Sequence, residues 1–468
     1  MKNGCGVRSR CLLSCFHPVI LSNLVFSPPF PLFPRLIFRG FPLKRRAVFT
    51  AMGVLTPVGC DPMSYHRALI AGTSGVRRIR AFDPHALPCQ IAGEVDGFDA
   101  KAFIPPAMKE TRKSLRVMAR AIQMGLCAAQ QAMTDGGPAK GTIDPFRFGI
   151  EFGCIMLATE IEDLAAAGKL TTDGHTLHLD HAKWGDGGYK AIPPLWLLKY
   201  LTNMPACHVS VTYDAQGPNN TITTTDAASL LALGEAYRLL QRDAADFFLV
   251  GGCDAKINPL SQSRHSLFDP LCTTHNDSPE TAVRPYDAAR DGWVFGEGAA
   301  VFGLEDLAFA QNRNAKIYAE LCGFASGFDR GKVGTTFAKV IRNALQDAQI
   351  APSDIDHVNA AACGSVELDA WEARAIGEVF DTETPVFAPR GHTGNTGTAS
   401  GLIELAASIL ALQTGELPGT RNHTVADAAC LIRVHTGNPR PVSKPYALKV
   451  THTDRGHCVA AVVKKWEG

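Results

Sequence analysis

The sequence alternates between short segments typical of buried strands and longer segments with the spacing of amphipathic helices, and it does so in both of its halves. Alternating strands and helices predict an α/β fold whose sheets are covered by helices on both sides. The second half begins near Leu304, which divides the chain into residues 47–303 and residues 304–468. The predicted strands are Arg45 to Gly59, Phe146 to Gly153, Ala245 to Ala255, Ile317 to Asp329 and Ile355 to Ser365; the predicted helices are Met118 to Met133, Phe337 to Ile350 and Ala399 to Gly415.

The first 46 residues differ in composition from the rest of the chain. They contain Lys and Arg but no Asp or Glu, and the first acidic residue is Asp61. Such a basic start is typical of a targeting peptide, but prolines interrupt its apolar stretch and no Ala-x-Ala pattern follows. The same prolines exclude a transmembrane helix of ~20 residues. We interpret residues 1–46 as an extension outside the fold. A mis-called start codon or a disordered tail is favoured over a targeting segment.

Charge and cysteine content narrow the function classes. The net charge of +1 gives no reason to expect nucleic acid or an anionic membrane as a partner. The 14 cysteines are irregularly spaced and include no CxxC pair. This pattern predicts reduced, mostly buried thiols in a cytoplasmic protein, with neither a disulfide framework nor a zinc site, and no cofactor is expected.

One strand-to-helix junction carries the main candidate for chemistry. The segment from Gly217 to Ala236 reads GPNNTITTTDAASLLALGEA, with a β-branched strand at Thr221 to Thr225 and an Ala/Leu-rich helix after it. Asp226 stands at this junction. We therefore expect it among the first residues of a buried helix. A helix N-terminus favours anions and lowers a thiol pKa. Asp226 is therefore either a helix cap worth ~1 kcal/mol, or a general base or an anion mimic in a buried pocket.

This junction and a second segment resemble a known family. From Asn276 to Ala300 the chain reads NDSPETAVRPYDAARDGWVFGEGAA, close to a string found in the β-ketoacyl-ACP synthases, the condensing enzymes of fatty-acid and polyketide synthesis. The resemblance extends from about Arg45 to Lys465. It implies a thiolase-like five-layered αβαβα fold made of two similar halves, and it places Asp226 where the family has its nucleophilic cysteine. The matching residues of the second segment are Arg284, Pro285, Asp287, Arg290, Asp291, Gly292, Gly296 and Glu297.

The resemblance also locates the family's two catalytic histidines and its lysine. The first histidine belongs to a VNAHGT-type turn, which reads VNAAACGS here and puts Ala361 at that position. In the second turn, APRGHTGNTGTASGLIE, a gap-free alignment puts Asn395 at the histidine and Arg390 at the lysine. A gapped alternative makes His392 the catalytic histidine at the expense of three inserted residues. Cys363, two residues beyond Ala361, is a candidate for a displaced nucleophile.

These replacements predict that the chain does not condense acyl groups. The favoured interpretation is a non-condensing subunit, similar to a chain-length factor, that pairs with an intact ketosynthase and an acyl carrier protein. The alternative is an acyl-ACP-handling enzyme, a 3-oxoacyl-ACP synthase or a malonyl-ACP decarboxylase, with an altered site centred on Asp226. We also expect a homo- or heterodimer, because His208 to Asp214 alternates apolar and polar residues as an unpaired edge strand does.

Overall fold

The computed structural model describes residues 45–157, 159–173, 175 and 178–468. The strands are β1 Ala47–Leu55, β2 Val76–Arg78, β3 Ile91–Gly93, β4 Phe148–Gly153, β5 Asn219–Ile222, β6 Phe247–Asp254, β7 Gly298–Asp306, β8 Ala319–Phe328, β9 Ile355–Asn359, β10 Pro385–Phe387, β11 Glu416–Leu417, β12 Arg433–Val434, β13 Arg440–Pro441, β14 Tyr446–His452 and β15 His457–Lys465. The helices are α1 Pro62–Ile70, α2 Ala100–Phe103, α3 Lys109–Ser114, α4 Arg120–Gly136, α5 Ile161–Thr171, α6 His181–Asp186, α7 Met204–Tyr213, α8 Ala228–Gln241, α9 Pro259–Phe268, α10 Leu307–Asn312, α11 Thr335–Asp347, α12 Val366–Gly377, α13 Arg390–Thr393 and α14 Ser400–Thr414. The proposed extension at residues 1–46 lies outside the described residues except for its last two.

The main sheet is built from the same strand arrangement used twice. Its 11 strands follow the order β12-β10-β9-β14-β15-β8-β1-β7-β6-β4-β5. In the first half, β1 pairs antiparallel with β7, β7 pairs antiparallel with β6, and β6, β4 and β5 are parallel. In the second half, β8, β15, β14, β9 and β10 repeat this pattern in the same order. A short antiparallel pairing of β1 with β8 joins the two halves.

Helices cover both halves of the sheet and form the remaining layers. Helices α4 and α7 pack on the outer face of the first half, and α11 and α12 pack on the outer face of the second. Helices α8 and α14 share a third apolar cluster with strands of both halves and lie between them. The order is helix, sheet, helix, sheet, helix. The thiolase-like five-layered fold implied by the resemblance is therefore confirmed.

The predicted edge strand at His208 to Asp214 is wrong, because these residues belong to helix α7 and its C-terminal cap. Pro205 stands in the first turn of α7, where its missing N–H costs nothing. The helix buries Met204, Ala206 and Val209, so its contact with the first half overrides the alternating pattern. The strand at this end of the sheet is instead β5, which begins and ends earlier than the predicted Thr221 to Thr225.

The segment between β4 and β6 is more regular than expected. The sequence suggests a poorly ordered insertion at residues 171–194, rich in Gly, His and Asp. Helix α6 and a 3₁₀ turn at Gly188–Ala191 lie within it, and Asp180 caps α6 by accepting hydrogen bonds from the amides of Ala182 and Lys183. Residues 174, 176 and 177 of this segment lie outside the described residues.

Candidate functional site

Asp226 lies in a single 3₁₀ turn, Thr225–Ala227, that leads from β5 into helix α8. Thr225 opens this turn with a φ of 47°, which is a left-handed conformation that a β-branched residue rarely adopts. The Asp226 side chain is 18% exposed. Its hydrogen bonds run to side chains of the second half and not to amides of α8 within the described residues. The turn therefore directs the Asp226 side chain towards the second half of the molecule. These contacts do not support the helix-cap interpretation.

The second half supplies the partners of Asp226. Arg390 Nη1 and Asn395 Nδ2 each donate a hydrogen bond to Asp226 Oδ2 at 2.9 Å. The Asn395 amide is fixed in this orientation because its oxygen accepts from the Gly397 amide at 2.9 Å and from Ser400 Oγ at 3.2 Å. An asparagine amide can donate a hydrogen bond but cannot exchange a proton as a histidine does.

Arg390 joins Asp226 to a chain of buried charges. Its Nε donates to Glu404 Oε1 at 2.6 Å, and Lys449 contacts the other oxygen of Glu404. Burial raises the pKa of Asp226, whereas the positive charges of Arg390 and Lys256 oppose that rise. A carboxylate with a raised pKa can hold a proton, and it can also fix the position of its partner Arg390. It cannot form an acyl thioester as a cysteine thiolate does.

A cavity of about 440 Å³ opens beside this network. Two of its lining side chains carry buried nitrogens without a hydrogen-bond partner among the described residues: Arg390 at Nη2, and His452 at both ring nitrogens, of which a neutral ring offers one as a donor and one as an acceptor. Burial, together with the charges of Arg390 and Lys449, lowers the pKa of His452 far below its usual value, so the ring is neutral. The cavity thus offers hydrogen-bond donors to an oxygen-bearing ligand.

The remaining predicted residues divide into one that lines the cavity and two that are absent from its lining. Cys363 lines the cavity, but burial and the charge of Asp369 raise the pKa of its thiol far above the range of a reactive cysteine. Ala361 is fully buried, and its amide donates to Glu372 Oε1 at 2.9 Å. The ring nitrogens of His392 face the carbonyl oxygens of Thr73 and Gly419 at 3.0 and 3.2 Å.

The environment of His392 also lowers its pKa to about 4, chiefly through burial. The structure therefore places Asn395 next to Asp226, whereas His392 faces backbone carbonyls and contributes nothing to the cavity lining. This geometry supports the gap-free alignment of the turn.

Several charged residues of the site were not identified from the sequence, among them Lys256, Glu404 and Lys449. Lys256 follows β6 and forms an ion pair with Asp254 at 3.0 Å at the cavity wall. Glu404 and Lys449 are almost fully buried. A single glutamate in the otherwise apolar helix α14 is a signal of a buried cationic partner, although the sequence does not say which cation it meets.

Hydrogen bonds and ion pairs hold the segment from Asn276 to Ala300 in place. Asp287 accepts hydrogen bonds from the amides of Thr424 and Val425 at 2.6 and 2.9 Å and from Arg284 Nε at 3.2 Å. Arg290 is buried and pairs with Asp427 at 2.6 Å. These bonds fix the loop that carries Trp293 and Phe295, two residues of the cavity wall.

Comparison with known proteins identifies the family. The family model of the "Beta-ketoacyl synthase, N-terminal domain" matches residues 44–310, and that of the "Beta-ketoacyl synthase, C-terminal domain" matches residues 318–424. The 3-oxoacyl-[acyl-carrier-protein] synthase 2 of Coxiella burnetii is 33% identical over 396 residues, which cover 83% of this chain and 90% of that protein. The chain belongs to the β-ketoacyl synthase family, the ketosynthases of fatty-acid and polyketide synthesis.

Solved structures agree with this assignment. The crystal structure of a β-ketoacyl synthase from Burkholderia phymatum has a TM-score of 0.80 at 26% identity and covers 90% of this chain and 100% of that one. A ketosynthase bound to the hexaketide, in complex with its type II polyketide acyl-carrier protein, has a TM-score of 0.75 at 26% identity and covers 91% of this chain and 100% of that one. No helix in the described ranges is long and apolar enough to cross a lipid bilayer.

Proposed function

We propose that this protein is a non-condensing member of its family that serves as a partner subunit, similar to a chain-length factor, for an intact ketosynthase. The observation that carries the proposal is the state of Asp226. It stands at the nucleophile position as a carboxylate whose Oδ2 already accepts from Arg390 and Asn395. A condensing enzyme needs a free thiolate there, and the cysteine that lines the cavity, Cys363, has too high a pKa to provide one.

The proposed partners are an acyl carrier protein and a ketosynthase that retains its cysteine and histidines. The complex of a ketosynthase with its acyl-carrier protein among the similar structures supports the first partner. The exposed end of the sheet at β5 supports the second, because an unpaired edge strand invites pairing with another chain. Helix α7, which packs on β4 and β5, also exposes Val211. We propose a two-fold dimer through this edge that buries more than ~2,000 Å².

A condensation assay with the purified protein tests this function. The protein alone is expected not to condense acyl-ACP with malonyl-ACP, and Asp226→Cys alone should not restore condensation. Each missing acid or base group costs ~10² to 10⁴ in rate, and Ala361 and Asn395 supply none. The triple variant Asp226→Cys, Ala361→His, Asn395→His is the matched positive control. Condensation by the unmodified chain at the rate of an ordinary synthase would refute the proposal, and Cys363→Ala would then locate the nucleophile.

Sedimentation tests the partner assignment separately. The chain is expected to sediment as a dimer, with itself or with a cognate ketosynthase, at micromolar concentration. Thr221→Pro, which places a residue without an N–H in β5, should weaken the dimer if the edge pairs. A monomer under both conditions would refute the partner-subunit role.

The unpartnered donors of the cavity favour a second candidate, a malonyl-ACP decarboxylase. Arg390 Nη2 and neutral His452 could hold the thioester oxygen while carbon dioxide leaves and a proton replaces it, which needs no covalent enzyme intermediate. Mass analysis of malonyl-ACP incubated with the protein distinguishes the two functions. Formation of acetyl-ACP that is lost in His452→Gln would establish the decarboxylase, whereas unchanged malonyl-ACP is the result expected of a partner subunit.

A further inference from the structure

A compact group of metal-ligating side chains lies apart from the cavity lining. Cys272 and His275 belong to the loop after α9, and Asp291 belongs to the loop that precedes Trp293. Cys272 Sγ and His275 Nδ1 are 3.6 Å apart, and His275 Nδ1 and Asp291 Oδ1 are 3.9 Å apart. The three ligand atoms all lie within 4.8 Å of one another. This grouping brings together one sulfur, one nitrogen and one oxygen around a single point.

Backbone pairing holds the two loops in this arrangement. Leu271 and Trp293 form a parallel bridge, and the Cys272 amide donates to the Trp293 carbonyl at 2.9 Å. On the other side, the Asn276 side chain accepts from the Gln90 amide and donates to the Pro88 carbonyl, both at 2.9 Å. The ligand atoms are therefore carried by a loop that is fixed on two sides before any ion binds.

Asp291 is oriented in the way that metal-binding carboxylates are oriented. Thr274 Oγ1 donates to Asp291 Oδ2 at 2.5 Å. The other oxygen, Oδ1, is buried and accepts no N–H or O–H hydrogen bond in the part of the chain that the structure describes, and the Cys272 thiol is the group that contacts this carboxylate. A buried carboxylate oxygen without a donor costs free energy, which a bound cation would recover. Hydrogen bonds from an outer shell commonly fix a ligating carboxylate in this manner.

We propose that Cys272, His275 and Asp291 bind one zinc-class divalent ion, with water as the fourth ligand. Zn–S and Zn–N bonds of ~2.3 and ~2.0 Å at a tetrahedral angle separate sulfur from nitrogen by ~3.5 Å, which is close to the observed 3.6 Å. A thiolate and an imidazole select Zn²⁺ or Co²⁺ over Mg²⁺ and Ca²⁺. Binding replaces the thiol proton of Cys272 by a metal–sulfur bond and releases that proton to solvent.

The cysteine spacing predicts no zinc site, because the sequence contains no CxxC pair. The ligands of the proposed site come instead from a Cys-x-x-His loop and from an aspartate 16 positions after the histidine. The ion would tie the loop after α9 to the segment Arg290 to Trp293, next to the cavity wall. This role does not depend on whether the protein condenses acyl groups.

Cobalt titration of the chelator-treated full chain tests the site. We expect uptake of one Co²⁺ per chain with a thiolate-to-cobalt charge-transfer band, which added Zn²⁺ removes. Cys272→Ser should abolish the band. Thr274→Val, which removes the hydroxyl that orients Asp291 and lies 2.8 Å from His275 Nδ1, should weaken binding about 10- to 100-fold. Cys60→Ser, at a half-buried cysteine packed against a different apolar cluster, is the matched control and should leave the titration unchanged.

A serine at the buried position 272 risks unfolding, so His275→Gln at a partly exposed position provides an independent test, with circular dichroism to verify folding. The folded His275→Gln protein should lose stoichiometric binding. Failure of the unmodified chain to take up one Co²⁺, or equal loss of the band in Cys60→Ser, would overturn the proposal.

Discussion

The two halves of the molecule each enter a central helix through a 3₁₀ turn, and the two turns differ in what they tolerate. Thr225–Ala227 precedes α8 in the first half, and Gly397–Ala399 precedes α14 in the second. Both begin with a left-handed residue, Thr225 at φ 47° and Gly397 at φ 57°. Glycine adopts this conformation freely, whereas threonine does so only when its surroundings enforce it.

The same left-handed start therefore occurs with threonine in the first turn and with glycine in the second. The first turn has a left-handed threonine, and the side chain of its Asp226 is held by Arg390 and Asn395 from the second half. The second turn keeps a glycine because a Cβ on Gly397 would lie 2.0 Å from Asp254 Oδ2. Helices α8 and α14, which follow the two turns, pack against each other.

The largest expected effect comes from Arg390, which joins Asp226 of the first turn to Glu404 of helix α14. Arg390→Met removes one partner of Asp226 and one partner of Glu404 and leaves two carboxylates in buried surroundings. The free energy of unfolding, measured in urea, should fall by ~3 to 5 kcal/mol. Arg433→Ala, which breaks an exposed pair with Glu383, is the control and should change stability by less than ~1 kcal/mol. Equal effects of the two changes would show that the buried network does not hold the turns together.

Gly397→Ala tests the second turn alone. The added methyl group meets Asp254 Oδ2 and forces a left-handed alanine, so stability should fall by ~2 kcal/mol or more. Gly415→Ala, at φ 80° with no heavy atom within 4 Å of the new Cβ, separates strain from crowding and should cost ~1 kcal/mol. If both glycines cost the same in thermal unfolding, crowding by Asp254 plays no part.

The sequence predicted the elements that depend on local patterns and missed those that depend on distant partners. Strands β4, β6 and β9 and helices α4, α11 and α14 were predicted because their apolar periods are long and are bounded by turn residues. The short alternation of His208 to Asp214 was misread, although Pro205 marks a helix start. A period-2 pattern over seven residues also fits a helix whose burial is decided by its neighbours.

The candidate site was predicted in part for the same reason. Family motifs located Asp226, Arg390 and Asn395, which the structure brings into contact. Glu404 of α14 pairs with Arg390 of α13 and Lys449 of β14. A local sequence pattern does not predict such a pairing, because the three residues lie on separate elements. The left-handed Thr225 could not be predicted either, since threonine has no intrinsic preference for that conformation.

Thr225→Gly tests whether the first turn is strained. Glycine removes the energetic penalty of the left-handed conformation, which stabilises the folded chain by ~1 to 2 kcal/mol. It also makes the unfolded chain more flexible, which lowers the free energy of unfolding by ~0.5 to 1 kcal/mol. The free energy of unfolding should therefore rise by up to ~1 kcal/mol, as measured in urea. Thr221→Gly, in strand β5 with no such strain, is the control and should lower stability by ~0.5 to 1 kcal/mol. A loss of stability in both variants would show that Thr225 is relaxed.

The smallest effect is expected for Asp226→Asn, because Arg390 keeps its bond to Glu404 when the charge of Asp226 is removed. The folded-state pKa of Asp226 is raised by burial, so the folded chain binds this proton more tightly than the unfolded chain does. Its contribution to stability is then full below the unfolded value of ~3.9 and is lost as the pH rises through the folded pKa. The wild-type chain should lose stability relative to Asp226→Asn over that interval in unfolding measured at a series of pH values, with Asp186→Asn, on the exposed part of α6, as the control. A wild-type advantage that grows with pH would show that the ion pair with Arg390, and not burial, governs the protonation of Asp226.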